Sequence, residues 1–156
     1  MKRTLATMAA LQDPATREGF WHEIPEERRF SKADFEKKAD RKSKWAYKEF
    51  KAFLKYTAEE SIDPVSVIGS YAGAMGIAQF MPSNILTLAA DGDQDGSIDL
   101  FNHTDAIHSI ANYLKHHGWR RGMGRKAAYK VILRYNYSKY YANTILDVAE
   151  QLKGSA

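Results

Sequence analysis

Apolar positions recur along this chain with the spacing of helices and almost nowhere with that of strands. Between Ser31 and Glu60, the positions Ala46, Phe50, Phe53, Leu54 and Thr57 follow the i, i+4, i+7 rhythm of one buried stripe and predict a long amphipathic helix. Ser31 with Asp34 three residues later resembles a capping box and sets where that helix starts. Asp63-Pro64 offers an N-cap followed by a first-turn proline, which predicts a short helix through Ile68. Thr104 can cap another whose Ile107, Ile110, Ala111 and Leu114 face inward and which ends near Gly118. Ala127, Val131 and Ile132 suit a further helix, and Tyr141, Ile145, Val148, Ala149 and Leu152 a last one. No segment alternates with period two for long, and there is no internal repeat or low-complexity linker. The expected architecture is all-α, with residues 1–156 forming one domain.

Composition narrows the classes. A chain of 156 residues buries about 70% of its unfolded surface, enough for a core without staples. There are no cysteines, which excludes a disulfide framework, a Cys-ligated metal and a thiol nucleophile. The longest uncharged stretch, residues 64–90, is interrupted by Pro64, Gly69, Gly73, Gly76, Gln79 and Pro82, so it reads as buried or cleft-lining structure and not as a transmembrane span. The start, MKRTLATMAALQDPATRE, has only a short apolar run before charge returns at Asp13; it reads as part of the domain and not as an export signal.

Charge is segregated. Residues 28–55 carry eleven Lys/Arg against four acids, residues 91–105 carry five Asp and no Lys or Arg, and residues 115–134 carry seven Lys/Arg and no acid. The basic helix face reads first as a solvated face, with a polyanion site as the alternative. Nucleic acid is disfavoured because no recognised binding motif accompanies the charge. His103, His108, His116 and His117 lie close in sequence but lack a zinc-binding spacing, and are expected to face solvent or to act as polar partners.

The segment from Asp91 to Asp99 reads D-x-D-x-D-G-x-I-D, the opening of an EF-hand-like calcium loop. Asp91, Asp93 and Asp95 can converge on one hard cation, Gly96 permits the sharp turn, and the Ser97 carbonyl can face the ion. Asn102 stands where a bidentate Glu normally closes such a loop, and Asp105, at the start of the next helix, can close it instead. A single loop points to a structural ion. The alternative is an ion-free acidic turn held by Asx hydrogen bonds.

The second motif is Gly69-Ser70-Tyr71-Ala72-Gly73-Ala74-Met75-Gly76-Ile77-Ala78-Gln79-Phe80-Met81-Pro82-Ser83. Small residues allow close backbone approach to a ligand, or tight packing alone. With the Asp loop, then DAIHSIANYLKHHGW, then YNYSKYYA at residues 135–142, and with TLATMA and DPATREGFW upstream, the pattern closely resembles the lytic murein transglycosylase B family. The resemblance runs through nearly all of the chain with the motifs in the same order.

That resemblance implies a lysozyme-like helical domain acting on peptidoglycan strands in the periplasm or cell envelope, with no organic cofactor. Family members cleave the β-1,4 bond from N-acetylmuramic acid to N-acetylglucosamine and leave a 1,6-anhydro end, one glutamate serving first as acid and then as base. By the match, Ser70, Gln79 and Phe80 would sit near the scissile sugars, Tyr135 and Asn136 would face the cleft, Tyr141 would wall it, and Arg17 would meet the peptide stem. For the tyrosines, core or rim packing is the competing reading.

The family's catalytic glutamate stands in an E-[ST]-x-x-G segment upstream of TLATMA, and no such segment occurs in this sequence. Three readings follow: a domain cut from a longer enzyme, a shortened protein that keeps the saccharide-binding part, or another Glu in the role. Glu60-Ser61 mimics the pair, but its place at a helix end offers little apolar enclosure for a proton donor; Glu59, Glu49 and Glu36 have less to recommend them. The chain alone is therefore expected to be inactive or impaired, with a non-catalytic peptidoglycan-binding module as the alternative and a calcium-responsive interaction protein more distant. Loss of a first helix would expose apolar surface and favour self-association.

Overall fold

The structure, a computed structural model, describes residues 2–154. Its elements are α1 (Lys2–Ala10), α2 (Pro14–Glu23), a 3-10 turn (Glu26–Arg28), α3 (Lys32–Glu59), α4 (Pro82–Leu88), α5 (His103–His116), α6 (Arg125–Tyr135) and α7 (Lys139–Gly154). No strand forms among the described residues, only isolated bridges.

The long helix α3 is the spine. It begins as its sequence predicts: the Asp34 N–H donates to Ser31 Oγ at 3.1 Å, and Ser31 Oγ donates to Asp34 Oδ2 at 2.8 Å. It stops in a Schellman-type turn, with Ser61 at φ +54° and the Ile62 N–H donating to the Thr57 carbonyl at 2.8 Å. Ala46, Phe53 and Thr57 are buried as the stripe requires, Phe50 is half-buried, and Leu54 is 42% exposed at the stripe's edge. α1 packs on α3 and buries Leu5 completely.

The main core gathers Phe53 and Tyr56 from α3, Met75, Ala78 and Phe80 from the uncharged stretch, Ile85 and Leu88 from α4, Leu100, and Ala106 and Tyr113 from α5. A smaller cluster of Ala128, Ile132, Ala142 and Leu146 joins α6 to α7. No helix among the described residues is long and apolar enough to cross a membrane.

Four expectations shift. Residues 64–68 make a single turn and not a helix. The Asp63 carboxylate accepts the Val65 N–H at 2.8 Å, but β-branched Val65, Val67 and Ile68 are poor helix formers, and the chain extends so that Gly69 can pair with Met75. Helix α5 is capped by Asn102, not Thr104, and buries Asp105, Ala106, Ser109 and Tyr113, leaving Ile110 and Leu114 half-buried and Ile107 and Ala111 exposed. The rotation satisfies the loops: Ser109 Oγ accepts the Ala90 N–H at 2.9 Å, and the Tyr113 hydroxyl donates to the Arg134 carbonyl at 2.7 Å. On α6, Ala128 is buried in place of Ala127. Helix α7 inserts Ala142 and Leu146, so Ile145, Val148, Ala149 and Leu152 stay open to solvent.

Candidate functional site

The small-residue segment folds into successive tight turns. Met75 and Phe80 exchange both backbone hydrogen bonds, at 2.9 and 3.1 Å, and Gly69 bridges Met75 antiparallel. Ser70 turns its hydroxyl inward to accept the Ala74 N–H at 3.0 Å. Gln79 has φ +49°, a left-handed backbone uncommon outside glycine, and folds its Nε2 back to donate to the Gly76 carbonyl at 2.8 Å. Such backbone states persist only where surroundings hold them, and they concentrate at ligand sites. The Gln79 residue itself is exposed.

Tyr135, at the end of α6, closes this arrangement. Its hydroxyl donates to the Ala78 carbonyl, tying together two motifs that lie 57 residues apart. Its ring stands edge-on to Tyr113 at 5.2 Å, tilts against Phe80 at 6.1 Å and stacks with Tyr141 at 6.4 Å. Asn136 follows as the exposed, extended cap of α6. Phe80, Tyr135 and Tyr141 therefore share one aromatic wall, with Gln79 and Asn136 next to Phe80 and Tyr135 in the chain and Ser70 bonded within its own turn. Within it Phe80, only 2% exposed, supports the rings from behind. Tyr113 was not visible as a member in the sequence; its spacing of seven from Ala106, which is also buried, was the available signal.

Burial, reinforced by Tyr141 and Tyr113, pushes the Tyr135 hydroxyl up to about 12. A phenol whose native value is raised stabilises the fold fully below its ordinary value near 10, and that contribution is lost as pH rises through the native one. Tyr135→Phe is expected to flatten the loss of stability between about pH 10 and 12, read by urea unfolding across that range; an unchanged alkaline limb would contradict the burial argument.

Arg17 does not join the wall. Its Nε donates to the Leu11 carbonyl at 2.7 Å and its Nη1 meets Glu36 at 3.0 Å, with the side chain 15% exposed. Glu36 precedes Phe53 by seventeen residues of α3, about 25 Å of helix. Arg17 pins the α1–α2 corner to the start of the spine.

The acidic loop is closely organised. Asp91, Asp93 and Asp105 each bring a carboxylate oxygen within 4.8 Å of the others. Asp105 is 1% exposed and accepts the Gly92 and Asp99 N–H groups, both at 2.8 Å. Burial pushes its carboxyl up, but the N–H groups of Asp99, Gly92 and Asp93, with His108, outweigh this and hold it below the ordinary aspartate value. Asp91 accepts from the Gln94 and Gly96 N–H groups at 2.6 and 2.9 Å, with Gly96 at φ +92°. Asp95 instead engages the N–H and hydroxyl of Ser97, so Asp95 and Ser97 stand outside the three-carboxylate cluster. An all-oxygen carboxylate set of this kind suits a hard divalent cation.

Two glutamates are drawn inward from α3 and its C-terminal end. Glu60 is half-buried, not solvated as its place at a helix end suggested: its Oε2 accepts the Ile98 N–H at 3.1 Å, and it lines a cleft of about 450 Å³ with Tyr56, Val67, Met75, Asp99 and Phe101. None of the seven residues matched to substrate binding lines that cleft. Glu49 is 3% exposed on α3, with one oxygen on the Ser83 N–H at 2.9 Å and the other on the Ser83 hydroxyl at 2.8 Å. Met81, the N-cap position of α4, has no capping side chain, so Glu49 caps that helix from across the core. Its position three residues after buried Ala46 placed it on the inward stripe. Glu49→Ala is expected to cost about 2 kcal/mol, since the half-buried Ser83 N–H and hydroxyl lose their acceptors, and Glu49→Gln about half that; chemical denaturation checks both.

A family model for the transglycosylase SLT domain matches residues 1–128. The membrane-bound lytic murein transglycosylase B of Escherichia coli K12 is 45% identical over 82 residues, which are 53% of this chain and 23% of that protein. The soluble lytic transglycosylase SltB1 of Pseudomonas aeruginosa superposes with a TM-score of 0.67 at 28% identity, over 72% of this chain and 58% of that one. The Escherichia coli lytic transglycosylase Slt35, in a structure with calcium, gives 0.68 at 26% identity, over 74% and 55%. The chain thus spans less than two thirds of the length of each of these relatives.

Proposed function

The chain belongs to the transglycosylase SLT domain family, and on that premise we propose that residues 1–156 form one unit that holds a peptidoglycan strand for lytic cleavage in the cell envelope. The observation that carries this reading is the bond from Tyr135 to the Ala78 carbonyl, which makes one wall of two motif segments. On that wall the amides of Gln79 and Asn136 can hydrogen-bond sugar substituents. The Tyr141 ring offers a flat apolar face to sugar C–H groups while its hydroxyl stays wet.

In the reaction itself a glutamic acid protonates the glycosidic oxygen, the C6 hydroxyl of the muramic sugar attacks C1, and the resulting carboxylate takes the proton from that hydroxyl. The C1–O bond to the next sugar breaks, the C1–O6 bond forms, and no water is consumed. One carboxyl suffices because the sugar supplies the nucleophile, unlike hydrolases that need two. No glutamate of this sequence stands in the E-[ST]-x-x-G setting, and both oxygens of Glu49 are occupied by Ser83, so the proton donor is assigned to none of them.

The test is co-sedimentation with purified sacculi, followed by mass analysis of released products. Retention is expected, with little or no 1,6-anhydromuropeptide released. Joint Gln79→Ala and Asn136→Ala is expected to weaken retention by about tenfold, two hydrogen bonds' worth, with melting lowered only by the loss of the Gln79–Gly76 bond. Failure to bind sacculi would end the reading, and full turnover abolished by Glu60→Gln would reassign the acid.

Under the same proposal Asp91, Asp93 and Asp105 would hold a structural calcium ion, with Asp95 and the Ser97 carbonyl as the further candidates of the loop pattern. The ion would clamp the loop to the first turn of α5 and take no part in bond breaking. Calcium is expected to raise the melting temperature, and Asp93→Ala to abolish that rise; an unchanged rise would remove the site. Self-association also belongs to this reading, supported by the open apolar residues Ile145, Val148 and Leu152 of α7.

A further inference from the structure

On the solvent side of α3, Lys37, Arg41, Lys44, Lys48, Lys51 and Lys55 repeat at alternating four- and three-residue steps, and every one of them is exposed. That spacing keeps all six on one face, a straight basic track about 27 Å long. Two members are ion-paired, Lys44 with Asp40 at 2.9 Å and Lys55 with Glu59 at 3.5 Å, and Lys37 and Arg41 share a groove with Asp34 and Asp40. Lys37, Arg41, Lys48 and Lys51 have no ion-pair partner among the described residues. Like charges at these steps destabilise a helix, and nothing in the packing of α3 requires them, since the opposite face carries the core. The track is thus a feature the fold tolerates and does not use.

Its edges are aromatic and apolar. Trp45 runs along one side, half-buried, and Tyr47 and Leu54 along the other, 49% and 42% exposed. Lys42 Nζ lies 5.5 Å from the Trp45 ring and Lys51 Nζ 5.6 Å from the Tyr47 ring, and Arg41, Lys42 and Trp45 line a shallow groove of about 240 Å³. We propose that this face of α3 docks on an anionic phospholipid surface, its lysine and arginine heads among the phosphates and its aromatic edges at headgroup depth. A flat track meets a plane along its whole length, and long basic side chains flanked by Trp and Tyr are the side-chain set that suits a headgroup layer. Nucleic acid fits less well, because the rings at both edges lie beside lysine heads and are not free to stack with bases.

The experiment is flotation of the full chain with vesicles of phosphatidylglycerol and phosphatidylcholine in equal parts, against vesicles of phosphatidylcholine alone. Binding is expected to the anionic vesicles only, and to vanish near 1 M salt, where the Debye length is about 3 Å. The variant Lys37→Gln, Arg41→Gln, Lys48→Gln, Lys51→Gln should weaken partitioning by roughly a hundredfold or more. Glutamine is a good helix former and removes repulsion, so its melting temperature should be equal or higher, which separates loss of docking from loss of fold. Equal binding to neutral vesicles, unchanged binding by the variant, or salt-sensitive capture by sacculi or polyphosphate without any by vesicles would overturn the proposal.

Discussion

Gly76→Ala is expected to destabilise the domain by about 3 kcal/mol or more, lowering the urea midpoint with little change in slope. Two independent costs add. Gly76 sits at φ +68°, where an L side chain pays about 1–2 kcal/mol. A Cβ built there would lie 2.4 Å from Leu100 Cβ and 2.6 Å from the Leu100 carbonyl oxygen, a backbone neighbour that cannot swing aside. Leu100 is 1% exposed in the main core, and its carbonyl accepts the Ile77 N–H at 2.8 Å. Relieving the overlap therefore separates the turn that carries Gln79 from the end of the acidic loop, at the further cost of about 1–3 kcal/mol typical of overpacking. Gly122→Ala is the control: φ is +77° but nothing lies within 4 Å, so only the conformational part applies. Equal effects at the two positions would show that contact with Leu100 does not constrain the turn.

Asp105→Ala is expected to cost about 3 kcal/mol in calcium-free protein and to remove any stabilisation by calcium. The buried carboxylate is the acceptor for Gly92 and Asp99, so its loss strands two backbone donors. Asn at the same position keeps one acceptor and should fall between. Because the native value of Asp105 is lowered, its contribution is present above the ordinary aspartate value near pH 4 and is lost as pH falls through the native one. Asp105→Asn should therefore lessen the pH dependence of unfolding on the acid side. For a chain of this size the alanine variant should melt about 6–12 °C lower. A smaller shift than that of exposed Asp95→Ala would mean that Asp105 does not anchor the loop.

Much of this was legible locally. The start of α3 follows from Ser31 and Asp34, whose hydrogen bonds need only four residues of sequence. The acidic loop follows from its Asp/Gly spacing, and Gly96 adopts the turn that spacing demands. Other features were legible only in part. Leu54, Ile107, Ile145 and Val148 carry the right apolar period, yet they face water because the neighbouring elements do not cover that side of their helices. Periodicity gives the presence of a face; the partner that covers it fixes the angle. Arg17 matched a binding position but is held by Leu11 and Glu36, an outcome set by where the α1–α2 corner meets the spine.

Caps, turn residues and motif order act over a few residues at a time, so the helical class, the family resemblance and the Asp/Gly loop could be read along the chain, with Phe80, Tyr135 and Tyr141 marked only as candidates. Tertiary structure alone decided that Glu49 caps α4, that Asp105 is sunk beneath its loop, that Tyr135 reaches the Ala78 carbonyl and that Glu60 lines a separate cleft. The first three of those outcomes place a polar group away from water, and only the donors and acceptors brought to it from distant parts of the chain make that burial stable.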